Sequence, residues 1–256
     1  MSSLIATSVS KVFPGHSPED PSVVALQDVS FSVKDNEFCS ILGHSGCGKT
    51  TMLNLIAAFE QPTSGQITVD GKPVTRPGWQ RSMIFQDYAL FHWLSIEDNI
   101  AFGLEVKNVA RADRQRIVSD YISLVGLKGF ENRFPHQLSG GMRQRVSIAR
   151  ALAVNPDILL MDEPFAALDA QNRQLMQQET ARILATTQKT VVLVTHSIEE
   201  AIILSDRIVV MTRRPGTVKA DIEVKLPRPR NEDDLQFIAL KKQIRALIQD
   251  EFEIET

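Results

Sequence analysis

Gly43-His44-Ser45-Gly46-Cys47-Gly48-Lys49-Thr50 decides the fold of this chain. It fits G-x-x-x-x-G-K-[ST], a loop whose glycines let successive backbone N–H groups converge on one anion. Its flanks are those such a loop requires. Glu37-Phe38-Cys39-Ser40-Ile41-Leu42 reads as a buried strand leading in, and Lys49-Thr50-Thr51-Met52-Leu53-Asn54-Leu55-Ile56 reads as a helix leading out. In that setting Lys49 brings a mobile charge to the outer phosphates, Thr50 offers a hydroxyl to Mg²⁺, and the helix adds its positive end.

Working outward, the chain alternates strand and helix character. Ser82-Met83-Ile84-Phe85, Ile158-Leu159-Leu160-Met161 and Val191-Val192-Leu193-Val194 are short, nearly continuous apolar runs. Central parallel strands covered on both faces have this character. Gln66 to Val74 carries Asp70-Gly71 at its centre and predicts a hairpin, hence a small antiparallel sheet near the N-terminus. Residues 95–155 read as mainly helical, with Ile117, Tyr121, Leu124 and Val125 forming one apolar face. Arg213-Arg214-Pro215-Gly216 is a turn between two late strands. Pro227-Arg228-Pro229-Arg230-Asn231 is a loop, and a last helix is expected to turn Leu235, Ile238, Ile244, Leu247 and Ile248 inward.

Composition excludes several classes. A 43% hydrophobic and 23% charged content is that of an ordinary globular protein, and a net charge of −3 argues against a bulk polycation that seeks nucleic acid. No apolar run approaches the ~18 residues that a membrane-spanning helix needs. Met1-Ser2-Ser3-Leu4-Ile5 has neither the basic nor the long apolar region of a secretory leader. The two cysteines, Cys39 and Cys47, are expected to be free thiols, as in a reducing compartment, with Cys39 a core filler.

Further positions carry chemistry. Asp162 and Glu163 end the apolar run at Met161, where open α/β sheets bind ligands. Asp162 is placed to hold Mg²⁺ through water, and Glu163 to orient and deprotonate an attacking water. The competing reading of Asp162-Glu163-Pro164 is a helix cap. Gln86 ends one strand, with an amide able to reach Mg²⁺ or water, and His196 ends another, with an imidazole able to hold a γ-phosphate. Phe13 is either a platform for adenine or part of the core. Leu138-Ser139-Gly140-Gly141-Met142-Arg143-Gln144-Arg145 opens a helix with a second anion-shaped turn. One chain with two phosphate-shaped surfaces suggests that Ser139, Gly140 and Gly141 meet a partner's nucleotide.

Taken in this order, the residues resemble the nucleotide-binding subunit of an ATP-binding cassette (ABC) transporter over roughly residues 4–220. Walker A is Gly43 to Thr50, the Q-loop residue is Gln86, and the signature is Leu138 to Met142 with Met in its last place. Walker B is Ile158 to Asp162 followed by Glu163, the D-loop is Ala167-Leu168-Asp169, and the switch histidine is His196. The resemblance implies an α/β fold: a P-loop NTPase core with a mainly parallel sheet, a small N-terminal antiparallel β subdomain and an inserted α-helical subdomain. The expected division is 1–94 and 156–220 for the core, 95–155 for the helical part and 221–256 for a C-terminal loop and helix.

It also implies ATP and Mg²⁺ as cofactors. Glu163, His196, Gln86 and Lys49 take the catalytic roles. Phe13, Gly43, His44, Ser45, Gly46, Cys47, Gly48, Lys49, Thr50, Thr51, Gln86, Asp162 and His196 contact nucleotide, and Thr50, Gln86 and Asp162 hold the metal. The implied partners are a homologous ATPase in a head-to-tail homodimer or heterodimer, permease subunits at the cytoplasmic face of the inner membrane and, indirectly, an extracytoplasmic substrate-binding protein, with no nucleic acid.

A finer resemblance, to the ATPases of nitrate, sulfonate, taurine and bicarbonate importers, rests on Arg76-Pro77-Gly78, Leu90 to Leu94, Asp98 to Leu104, Met142 to Arg145, Arg214-Pro215-Gly216 and Leu226 to Arg230. His92, Ala58 and Ala166 depart from that pattern. The large regulatory C-terminal domain of some importer ATPases is not expected. The alternative is a soluble ABC ATPase of DNA repair or assembly, but the interval between Lys49 and Asp162 has no heptads and no cysteine cluster.

Overall fold

The computed structural model describes residues 3–15, 17 and 20–249; Met1 and Ser2, read above for a leader, lie outside them. In chain order the elements are β1 (Leu4–Phe13), β2 (Val23–Val33), β3 (Phe38–Leu42), α1 (Lys49–Ala57), β4 (Ser64–Val69), β5 (Lys72–Pro73), β6 (Arg81–Ile84), α2 (Ile96–Val106), α3 (Arg111–Leu124), α4 (Gly140–Ala153), β7 (Ile158–Asp162), α5 (Ala170–Thr187), β8 (Thr190–Thr195), α6 (Ile198–Leu204), β9 (Arg207–Met211), β10 (Val218–Glu223) and α7 (Leu235–Gln249). They form two compact units, one of residues 1–77 with 190–256 and the other of residues 78–189.

In the first unit β2, β1, β4 and β5 make an antiparallel sheet in that order. Asp70 and Gly71 form the β4–β5 turn at φ 51° and 73°, the doubly left-handed geometry that Asp-Gly favours. The same unit builds a parallel layer on β3, which is buried along its whole length. β3 pairs in parallel with β8 on one side and β9 on the other, and β10 closes the edge antiparallel to β9. β8 is buried at every residue, with an apolar run Val191–Val194 between its two threonines, which fits only such an interior strand. The hydroxyl of the one polar residue of β3, Ser40, bonds that of Ser205, so the buried polar groups satisfy each other.

The second unit pairs β6 with β7 in parallel and contains α2 to α5, with α4 packed on β6 and α2, α3 and α4 packed on one another. Two expected faces shift here and at the C-terminus. In α3 the deeply buried side chains are Val118 and Ile122, followed by Val125, while Ile117, Tyr121 and Leu124 are half-buried. The buried stripe is thus rotated by one residue from the expected face. In α7 the fully buried residues are Phe237 and the expected Ile244, in one core cluster with Leu42, Ala201, Ile202, Ile208 and Val210, and Ile248, also expected, packs against that cluster. Leu235 is 84% exposed and Ile238 also points outward. An aromatic ring at 237 fills the space against α6 and β9, which sets the helix rotation.

Candidate functional site

Strand register brings the candidates together in pairs. In the first unit Leu42 lies opposite Thr195 in the parallel β3–β8 ladder, so the glycine loop at Gly43 and His196 leave adjacent strands at the same carboxyl edge. In the second unit Ile84 lies opposite Met161, so Gln86 and the Asp162-Glu163 pair also leave neighbouring strands at one carboxyl edge. Adjacent strands run ~4.8 Å apart, so each pair departs from neighbouring backbone positions.

The glycine loop is shaped from behind. Gly48 takes φ 96°, and a Cβ there would sit 2.6 Å from Leu26 and 2.8 Å from the Ala25 carbonyl. Gly48 caps α1 with no side-chain acceptor, which leaves the first N–H groups of the helix for an anion. Lys49, buried to 5% exposure, folds back to donate to the carbonyls of Gly43 (2.9 Å) and His44 (2.8 Å). Its ammonium is thereby kept at the loop mouth with acceptors that phosphate oxygens can replace. Thr50 and Ser45 are exposed, Thr51 is half-buried and Cys47 is a buried free thiol.

A support that sequence reading left as a mere turn lies beneath this loop. The segment Arg213 to Gly216 presses on it: a Cβ on Gly216 would sit 2.1 Å from the Cys47 carbonyl oxygen. Gly216 is itself fixed to β2 by N–H donation to Ala25 O and acceptance from Gln27 N, both 3.0 Å. Arg214 Nε adds a bond to Gly46 O at 3.3 Å.

Glu163, just past β7, holds a left-handed φ of 43° that is uncommon for a non-glycine residue. The cap reading of Asp162 is displaced: α5 begins at Ala170 and its cap is Asp169, which accepts from Asn172 N at 3.1 Å. Arg173 ties the intervening loop down through the carbonyls of Phe165 and Leu168. His196 is exposed, and Ser197 after it caps α6 by accepting from Glu200 N. Phe13 ends β1 half-buried, with the Lys11 ammonium 4.8 Å from its ring centroid.

Ser139 caps α4 by accepting from Met142 N at 3.3 Å, and Gly140 and Gly141 begin the helix. A Cβ at Gly140 would come within 3.2 Å of Leu168 Cδ2, whereas one at Gly141 would meet Met176 at ordinary contact distance. The same helix carries Arg150, which sequence reading missed because its partners are backbone atoms of a distant loop. Arg150 donates to Ala89 O (2.6 Å) and Tyr88 O (3.0 Å), and its guanidinium lies 5.5 Å from the Phe91 ring centroid. Tyr88 and Ala89 both have positive φ, 61° and 48°, so the fork holds a strained segment two residues past Gln86. Burial holds the Arg150 pKa below the ordinary arginine value, a cost that these bonds offset. Arg150→Ala is expected to lower unfolding free energy by about 1.5–3 kcal/mol in urea titrations, and Arg150→Lys to recover little of it, since one ammonium cannot span both carbonyls. A lysine variant as stable as wild type would remove the fork from the account.

The ABC transporter family profile matches residues 26–166, a span that contains the glycine loop, Gln86, the Ser-Gly-Gly turn and both carboxylates. An uncharacterized ABC transporter ATP-binding protein of Methanocaldococcus jannaschii is 48% identical over 229 residues, 90% of this chain and 86% of that one. A taurine import ATP-binding protein of Pelagibacter ubique is 41% identical, covering 97% of this chain and 96% of the relative. A nitrate import ATP-binding protein of Synechococcus elongatus is 43% identical, covering 88% and 82%. Among solved structures, a dimeric ATP-binding cassette in a post-hydrolysis state bound to ADP and Pi matches with a TM-score of 0.74 at 31% identity, over 88% of this chain and 100% of that one. A phosphate loop, a capped Ser-Gly-Gly helix and strand-end carboxylates, in this order and within that match, make the chain a member of the ABC transporter family, an ATP-binding subunit and an ATPase.

Proposed function

We propose that the chain is the motor of an importer: it hydrolyses ATP in a head-to-tail dimer and drives a membrane permease that carries a small anion such as nitrate, bicarbonate, a sulfonate or taurine. The observation that carries this is the pairing of strand ends, with the phosphate loop beside His196 and Gln86 beside Asp162-Glu163. Lys49 exchanges its loop carbonyls for β- and γ-phosphate oxygens, and the N–H groups of the loop and of α1 hold the same anion. Glu163 takes the proton of the attacking water, and His196 holds the γ-phosphate. Ser139, Gly140 and Gly141 offer the start of α4 to the partner's nucleotide, and Phe13 stacks on adenine.

Thr50, Gln86 and Asp162 supply a hydroxyl, an amide and one carboxylate, an all-oxygen set that suits Mg²⁺ shared with nucleotide phosphates. Among the described residues no group of three or more His, Cys, Asp or Glu could hold a metal unaided, which fits a metal that arrives with nucleotide. Such an ion would neutralise charge developing on the phosphates.

No helix among the described residues is long and apolar enough to cross a membrane, so the permease is a separate chain in this reading. Its docking surface follows Gln86. Phe91 packs on Trp93 and Phe102 with ring centroids 5.4 and 4.5 Å apart, while Trp93 remains 73% exposed. Aromatic anchors of this kind dominate interfaces. Trp93→Ala is expected to weaken co-purification with the permease by about 30-fold, the effect of a typical hot spot, with ATP binding by the isolated subunit unchanged. Full assembly and coupled transport by that variant would remove this surface from the reading. The taurine and nitrate import relatives support the importer and anion class.

A further inference from the structure

α7 reaches both loops of the first unit that carry candidate phosphate contacts. Near its C-terminal end, Ile248 O lies 3.4 Å from His44 Nε2. A carbonyl only accepts, so in this contact the ring donates and Nε2 carries the hydrogen. His44 is the second residue of the phosphate loop. Midway along α7, Lys241 Nζ lies 2.5 Å from Glu199 Oε1, with the two side chains 29% and 34% exposed.

Glu199 stands in the first turn of α6, three residues past His196, and it also accepts from the Ser197 hydroxyl at 3.2 Å. Burial works to raise the Glu199 pKa, but the hydrogen bond from Lys241, the backbone and Ser197 outweigh it and keep the carboxyl below its ordinary range. The opposite end of α6 is anchored separately. Arg230 donates to the carbonyls of Ile202, Ile203 and Ser205, and Arg228 to that of Leu204. Phe237 and Ile244 join the core cluster that holds Ala201 and Ile202. One end of α6 is clamped and its flank is packed; at its first turn the Lys241–Glu199 pair acts beside Ile198, which packs on the same core cluster.

We propose that α7 is a brace between the phosphate loop and the His196 loop, with Lys241 a positioning residue for hydrolysis that acts through Glu199. The inference rests on the reading of Lys49 and His196 as nucleotide contacts. Only two residues separate His196 from Glu199, so a shift of the first turn of α6 passes directly to the imidazole. Lys241 reaches the candidate site through Glu199. Its removal should therefore act on the chemical step and spare binding. Displacement of a catalytic group by 1 Å costs up to about 100-fold. A half-exposed pair backed by other packing should cost less, about 3- to 10-fold in kcat.

The test uses the full chain. Lys241→Ala and Lys241→Met are expected to lower kcat for ATP by that factor with KM for ATP unchanged, and the exchange Glu199→Lys with Lys241→Glu to restore most of it. Hydrogen exchange on the unmodified protein supplies a readout independent of any variant. Amides of 238–249 should become more protected with a non-hydrolysable ATP analogue than with ADP. A lowered unfolding midpoint with unchanged kcat would make the pair a surface staple only and overturn the brace. So would α7 amides indifferent to the γ-phosphate. If Lys49→Ala leaves ATP binding intact, the nucleotide reading itself fails, which is a separate outcome from normal turnover by the Lys241 variants.

Discussion

Glu163→Gln is expected to slow ATP turnover by roughly 10²- to 10⁴-fold, the range of a lost general base, while ATP affinity stays near that of the unmodified protein. The substitution isolates one property. An amide has the size and planarity of the carboxylate, so the left-handed φ of 43° at this residue and the Ala166 N–H bond to its carbonyl need not change. What is lost is the capacity to accept a proton from water. Asp162 keeps its charge, and Lys49 and the α1 N-terminus keep theirs, so the phosphates still bind. Because opening of the dimer awaits hydrolysis in the proposed cycle, the variant should accumulate as an ATP-bound dimer on size exclusion. Hydrolysis within a few-fold of normal by pure variant protein would reassign the base.

Much of this site could be read from the chain because its signals are local. The strand Phe38–Leu42, the glycine loop and the helix from Lys49 are contiguous, and each constrains the next: a strand apolar on both faces but for Ser40 must be central, and only glycine relieves the crowding at Gly48. The carboxylates follow the same logic at the end of β7. Small slips came where apolar character outlasts the element. β6 ends at Ile84, and Phe85, read as its last residue, is 36% exposed. α7 has apolar residues at 235, 237, 238, 240, 244, 247 and 248, enough for two overlapping stripes, and periodicity cannot choose between them. Contact with α6 and β9 makes the choice, through Phe237 and Ile244.

What could not be read is how distant segments support the loops. Arg150 bonds carbonyls about sixty residues earlier, and Arg230 gathers carbonyls of Val224, Leu226, Ile202, Ile203 and Ser205. Burial, with the Arg228 charge beside it, pushes the Arg230 pKa down to about 10, yet backbone acceptors suffice to hold it. A backbone acceptor has no residue identity, so these interactions leave one arginine in the sequence and no partner to pair with it. The Pro-Arg-Pro-Arg segment was visible as a family mark, whereas its role as a clamp on the last carbonyls of α6 emerges only from coordinates.

Gly216→Ala tests such a hidden support directly, and its expected effect is a fall in ATP affinity of at least about 10-fold together with about 1–3 kcal/mol lost from stability, the usual cost of overpacking. Gly216 is not among the residues of positive φ, so alanine is acceptable to its backbone and the effect must come from space. The added methyl would lie 2.1 Å from the Cys47 carbonyl oxygen, 2.8 Å from Met211 Cε and 3.2 Å from Leu26 Cδ2. The methionine end can swing away, but a carbonyl moves only with its peptide. Gly216 is held on its own side by two 3.0 Å backbone bonds to β2, so much of the displacement falls on the phosphate loop at Cys47. There a change of a few tenths of an ångström spoils the convergence of N–H groups on one anion. Gly71→Ala is the matched control: φ 73° strains it, nothing lies within 4 Å, and it belongs to the β4–β5 turn. It should cost about 1 kcal/mol of stability and leave ATP affinity alone. Calorimetric titration of ATP into both variants separates the cases, and unchanged affinity in Gly216→Ala would show that the late turn merely touches the loop without shaping it.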